Sequence, residues 1–187
     1  MGISHDWSSN DMTPQLMTAV GHVVLRWSLL ENKLIWTASF IAWPRGKAVP
    51  SKVGEILRML KKEAENLYPM HPDMPLKLSS FCDRLLELQG ARNDICHGVP
   101  GRIKISGRAF TGLMIPAQGR KEARYREISV EQIDEVARHI IQAEKKFDKW
   151  SDELYRAEQR RSRTQQEYHN GRMMFTADIF PEPDSTL

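Results

Sequence analysis

One stretch of seven residues, Arg92-Asn93-Asp94-Ile95-Cys96-His97-Gly98, holds side chains suited to chemistry on a phosphodiester. Arg92 offers a charged, planar fork for non-bridging phosphate oxygens. The histidine at 97 supplies an imidazole, a group that titrates near neutrality and can give or take a proton. Asn93 is an amide able to orient either partner. On a helix, Asn93 and His97 are four apart and share a face. Arg92 and His97 are five apart, about 140° around the axis. They converge only if the Arg side chain curls round or a second helix completes the site, and a symmetric dimer would supply that helix. The end of a helix carries partial negative charge, which favours a protonated imidazole and suits a general acid. The same residue types also serve structure. A histidine in a last turn caps carbonyls, and an arginine at that depth pairs with an acid such as Asp94 or Glu87.

Other chemistries have less support. A second Arg–His spacing, Arg163 to His169, lies in a polar stretch with no apolar face beneath it and is set aside. His71 and Asp73 share a loop, but there is no HExxH, no CxxC and no histidine pair at helical spacing. Neither a Gly-rich phosphate loop nor a serine nucleophile elbow is found. No metal and no cofactor are expected.

The elements that must position this stretch are mostly helical. Residues 1–12 read as a loose tail. Thr13-Pro14 reads as an N-cap followed by a first-turn proline. A helix follows to about Ala42, with Leu16, Val20, Val23, Val24, Trp27, Leu30, Leu34, Ile35 and Ala38 at steps of three and four. Pro44 and Gly46 stop it. A second helix spans about Ser51 to Leu67, with Ile56, Leu57, Leu60, Ala64 and Leu67 inward and Lys61, Lys62, Glu63 and Glu65 toward water. Tyr68 to Pro75 holds three prolines and reads as a loop. A third helix runs from about Leu76 to His97, with Leu78, Phe81, Cys82, Leu85, Leu88, Ala91 and Ile95 on its buried side. Gly98 then suits the position just past the helix.

Residues 101–128 change character. Arg102 to Ser106 alternates polar and apolar, glycines punctuate, and Thr111 to Ile115 and Arg124 to Ile128 are further strand candidates. The segment reads as a two- or three-stranded antiparallel meander inserted between the third and fourth helices. It is basic. Arg102, Lys104, Arg108, Arg124 and Arg126 are candidate RNA contacts, with an ordinary solvated hairpin as the other reading. Its aromatic residues are few, Phe110 and Tyr125, which weakens the case for base stacking. Ser129 and Gln132 form a capping box for a fourth helix through Ile133, Ala137, Ile140, Phe147, Trp150 and Leu154. Trp27, Trp36 and Trp150 lie on apolar faces and read as core. The chain thus divides into a tail (1–12), a helical domain (13–165) and a polar tail (166–187).

Bulk properties agree. The 187 residues suffice for one domain. Apolar residues make up 41% and charged residues 27%, with a formal charge of +3, a mild excess compatible with nucleic acid. Cys82 and Cys96 sit 14 positions apart on one expected helix, roughly 21 Å, too far for a disulfide. Two such thiols fit a reducing compartment. Met1 to Asn10 is polar, and the most apolar stretch, Leu34 to Trp43, is half the length of a membrane span. A cytoplasmic location and no membrane partner are expected.

The stretch Arg92 to Gly98 resembles the Arg-Asn-x-apolar-small-His-Gly form of the motif of the HEPN family. It also stands late in the third helix, where that family carries it. Gly21-His22-Val23-Val24 leading to Trp27-Ser28-Leu29-Leu30-Glu31 is similar to the opening helix of several HEPN branches. The resemblance covers about residues 13–155. It implies an up-and-down helical bundle, a homodimer whose two Arg–His sets face each other, and metal-independent RNA cleavage of the kind seen in toxins and defence effectors. His97 would be the acid or base, Arg92 would steady charge on phosphorus, and Asn93 would orient phosphate or imidazole. The 2′-hydroxyl of RNA would attack its own phosphate, leaving a cyclic phosphate and a 5′-hydroxyl. The resemblance also admits inactive members that bind RNA, a nucleotide or a protein partner. One toxin branch carries a tyrosine two residues after the histidine, where its antitoxin modifies it. This chain has Val99 there, so that mode of control is not expected, while an antitoxin acting in another way stays open as a partner.

Overall fold

Thr13 starts the first long helix in the manner its sequence demands. Its hydroxyl accepts from the Leu16 backbone N–H at 3.2 Å, and Pro14 occupies the first helical position, where no backbone donor is needed. The computed structural model describes residues 4–6, 13–67, 73–105, 108–115 and 124–177. The loop expected at 68–72, the glycine at 119, Arg120, Lys121 and the chain from 178 lie outside these residues. The elements are β1 (Ser4–Asp6), α1 (Pro14–Ala42), α2 (Val53–Leu67), α3 (Asp73–His97), β2 (Val99–Ile105), β3 (Arg108–Ile115), β4 (Arg124–Glu127) and α4 (Val130–Ala177). The expected architecture, a helical bundle with a small antiparallel insertion between the third and fourth helices, is what forms.

Three boundaries moved for physical reasons. Pro75 was expected in a loop but lies inside the first turn of α3. The first backbone donors of a helix have no intrahelical partner, so a proline costs little there. Ser4–Asp6, read as tail, instead pairs antiparallel with Asp6 opposite Arg102 and Ser4 opposite Lys104. This makes a four-stranded sheet in the order β1-β2-β3-β4. The segment read as a polar tail from 166 is helical through Ala177.

α1 ends as a Schellman turn. The Lys47 N–H reaches the Ala42 carbonyl at 3.1 Å and the Gly46 N–H reaches Trp43 at 3.0 Å. Gly46 sits at φ 62°, a conformation open to glycine at no steric cost. α4 opens with the predicted capping box. The Ser129 N–H donates to Gln132 Oε1 at 2.9 Å, and the Gln132 N–H donates to Ser129 Oγ at 3.3 Å.

The core joins one stripe from each helix. Leu30, Leu34 and Ile41 of α1 meet Ile56, Leu57 and Leu60 of α2, Leu78 and Leu85 of α3, and Ile133, Ile140 and Phe147 of α4. Lys33 of α1 bonds both Glu144 and Asp148 of α4 at 2.8 Å. These hydrogen bonds, Asp148 first, raise the Lys33 pKa. Arg45, in the short 3-10 turn after α1, contacts Glu63 near the end of α2 and Glu158 of α4, the latter at 2.7 Å. Gly54, near the start of α2, instead lies against Leu86, midway along α3. Residues 46–52 therefore carry the chain back along the bundle, and α2 rises in the same direction as α1, which corrects the up-and-down alternation the resemblance implies for the first two helices.

Two expectations about individual side chains are corrected. Glu63 was placed toward water but is buried, because Arg45 and Lys47 both bind it. Trp36 was read as core but is 72% exposed. α1 is apolar on nearly every side, and the other helices cover only the side that carries Trp27 and Leu34. The uncovered side runs through Met17, Leu25, Leu29 and Trp36 with no charged residue along it.

Candidate functional site

α3 delivers the motif to the end of the bundle. Ile95 is the anchor: it is buried, and it fixes which way the last turn of the helix faces. Around it, Arg92, Asp94 and Cys96 are half-buried, while Asn93 and His97 are exposed. Arg92 starts on the side that leads toward Cys96. The Cys96 thiol pKa is raised by burial, and the Arg92 charge opposes that rise. The guanidinium also engages its neighbour in the chain. Its Nη1 donates to Asn93 Oδ1 at 3.0 Å, and Asn93 shares a helix face with His97. Among the described residues Arg92 and His97 make no hydrogen bond with each other; what lies between them is Asn93, bonded to Arg92 and on the face of the imidazole. Its Nε is buried without a hydrogen-bond partner.

Neither structural role proposed for these residues accounts for them fully. Of the two acids expected as partners for Arg92, Glu87 forms no ion pair with it among the described residues, and Asp94 is engaged by Arg124 at 3.4 Å and Arg126 at 3.6 Å. The sheet explains this. Leu113 and Ile115 of β3 are buried, and their cross-strand partners on β4 are Arg126 and Arg124. Paired residues of an antiparallel sheet share a face, so both arginines come to the core side of an edge strand, where the end of α3 offers a carboxylate. His97 has no hydrogen-bond partner among the described residues.

Gly98 allows helix and sheet to meet. Its N–H closes the helix on the Asp94 carbonyl at 2.9 Å, and β2 begins at the next residue. A Cβ at this position would fall 2.5 Å from the Asp94 carbonyl oxygen and 3.0 Å from Leu113 Cβ. The glycine is required by close packing of β3 on the helix end.

The five basic residues expected to contact RNA divide. Arg124 and Arg126 stand at the candidate site, bound to Asp94. Arg102 and Lys104 of β2 pair across the sheet with Thr111 and Ala109, and Arg108 of β3 pairs with Ile105. Their side chains lie outside what the structure describes. Among the described residues no three His, Cys, Asp or Glu side chains gather in a way that could hold a metal ion. No described helix is long and apolar enough to cross a membrane.

A groove of about 750 Å³ runs between α3 and α4. Lys77 and Arg84 line one wall, and Lys146 and Lys149 the other. Their seven- and three-residue spacings are visible in the sequence as two basic stripes. Which helices stand side by side is not.

Arg92, Asn93 and His97 bring a guanidinium, an amide and an imidazole to one helix end, groups whose chemistry suits a phosphate ester. The chain matches no family model, no curated protein and no solved structure, so the HEPN resemblance rests on the motif and its place in the bundle.

Proposed function

We propose that the protein is a metal-independent endoribonuclease of HEPN type. Arg92 and Asn93 bind the scissile phosphate, and His97 handles the proton as the 2′-hydroxyl attacks. The observation that carries this reading is the Arg92–Asn93 hydrogen bond. It ties the Arg92 guanidinium to an amide that shares a helix face with an exposed imidazole, while the nearby carboxylate of Asp94 is engaged by two other arginines. Positioned charge of this kind is the largest contributor to many such reactions. In this reading the protein acts in the cytoplasm as a homodimer, in the manner of a toxin or defence effector. The uncharged exposed face of α1 supports pairing, because Met17, Leu25, Leu29 and Trp36 leave large apolar side chains open on one side of the helix.

One observation favours a second reading, a non-catalytic module that holds RNA, a nucleotide or a protein partner. A catalytic histidine is usually oriented by a neighbouring group, and His97 has no such partner among the described residues. The two readings separate in one experiment. Purified protein is incubated with total RNA and with tRNA in EDTA, beside His97→Ala and Arg92→Ala. Cleavage predicts fragments ending in cyclic phosphate, with either variant slower by about 100-fold or more. Intact RNA at high wild-type concentration sinks the nuclease reading. Equal cleavage by wild type and His97→Ala removes His97 from the mechanism.

A further inference from the structure

The groove between α3 and α4 has two properties that the Arg92 site does not need. Its floor is apolar and aromatic: Phe81, Leu85 and the half-buried Trp150 line it. Phe81 stacks on Phe147 beneath, with centroids 6.2 Å apart and planes 7° from parallel, so the floor is firmly backed. Its walls are cationic. Lys77, Arg84, Lys146 and Lys149 are all exposed, and none has a salt-bridge partner among the described residues. The acid in the lining is Glu153.

The spread of the cations decides what they suit. Lys77 and Arg84 are seven residues apart, about 10 Å along α3. A single phosphate draws its donors to one point, whereas cations strung along both walls match a chain of phosphates. The apolar floor suits a single strand, because only unpaired bases can turn their faces onto it. Aromatic rings beneath provide stacking surface for bases. The candidate site lies further along the same helix: His97 is thirteen residues beyond Arg84, about 20 Å on and 140° round, so a strand leaving the groove crosses the exposed face of α3 to reach it. Arg92 is eight residues beyond Arg84, about 12 Å further along α3 and 80° round it.

We propose that this groove is the track for single-stranded RNA, holding the substrate on one side of the bond presented to Arg92 and His97. The proposal rests on the nuclease reading for its choice of RNA. Lys77, Arg84, Lys146 and Lys149 bind successive phosphates, and Trp150 stacks against a base.

The test uses a fluorescein-labelled twelve-nucleotide single-stranded RNA and fluorescence anisotropy across a salt series. His97→Ala serves as the host, so that no strand is cut. Adding Lys77→Ala, Arg84→Ala, Lys146→Ala and Lys149→Ala should weaken binding at least tenfold. The same changes should flatten the salt slope by roughly 2 to 3, at about 0.7 per phosphate on a single strand. These side chains are exposed, and circular dichroism checks that the fold is kept. A duplex of the same sequence and adenosine monophosphate should both compete poorly. Binding unchanged within twofold overturns the track, as does full displacement by the mononucleotide. The nuclease reading fails separately. If wild type cuts nothing yet the four changes abolish binding, the track stands without it. If Arg92 and His97 are needed for cutting while the four-site variant of the active protein binds and cuts normally, the track falls alone.

Discussion

Replacing Arg45 with Met removes the cation that bridges Glu63 and Glu158. The three side chains are 11%, 5% and 5% exposed, so solvent screens them poorly. Taking charges out of water is costly, and only close pairing with hydrogen bonds offsets it. Loss of Arg45 leaves two carboxylates in one buried site, with Lys47 reaching only Glu63, at 3.1 Å. Breaking a buried pair in this way costs about 3–5 kcal/mol. For a chain of this length that lowers the melting temperature by roughly 10 °C, at about 2–4 °C per kcal/mol. The cost of burying charge has a second, opposite consequence. Replacing all three residues together with apolar ones, Arg45→Met, Glu63→Leu and Glu158→Leu, should be close to neutral or stabilising. Lys47→Ala should cost less than about 1 kcal/mol, because that lysine is largely exposed. Urea denaturation followed by far-ultraviolet circular dichroism measures all three. A loss below about 1 kcal/mol for Arg45→Met would refute the argument. So would a triple variant as unstable as the single one.

Gly98→Ala places a methyl group against the Asp94 carbonyl and Leu113, where the contacts leave no room. It should cost about 1–3 kcal/mol in the same denaturation assay, and it should reduce any activity of Arg92 and His97 by shifting the end of α3. The two thiols should differ in reactivity. Burial pushes the Cys82 pKa up to about 11, so at pH 8 its thiolate fraction is very small. The Cys96 pKa is also raised by burial, but that residue is only half-buried. Iodoacetamide at pH 8 should therefore modify Cys96 first, as peptide mass mapping would show. Cys82 should react only near pH 11 or on unfolding, and prompt modification of Cys82 in the native protein at pH 8 contradicts its placement.

What the sequence discloses here is what neighbouring residues decide among themselves. Thr13-Pro14, the Ser129–Gln132 box and the Pro44–Gly46 stop all act within one turn of chain, and each forms as read. The motif's helical end was legible for the same reason, since Ile95 falls on the apolar stripe and Gly98 ends it. Distant partners were not legible. Glu63 follows two lysines on an amphipathic helix, and nothing local marks it for burial. Arg45 draws it inward, and that arginine is eighteen positions away. Trp36 lies on an apolar face, but a helix apolar all round does not reveal which side its neighbours will cover. Asp94 was a plausible partner for Arg92 until β4, thirty residues on, brought Arg124 and Arg126 to it. At the candidate site the residues were readable, and their mutual arrangement was a matter of tertiary contacts.

The return of the chain along residues 46–52 has a consequence for how much length the fold can give up. Glu63 is level with Arg45, and Gly54 lies nine residues earlier on α2, about 14 Å lower at 1.5 Å per residue. With about 8–10 Å between helix axes, the connection covers roughly 17 Å. Seven extended residues reach about 23–25 Å. The slack is therefore about two residues. Shortening the segment by three would drag α2 upward past its seat on Leu86, separating Glu63 from Arg45. Lengthening it by several residues adds only loop-closure entropy, which grows slowly. Length variation between the first two helices of related chains should accordingly run in one direction, toward insertion.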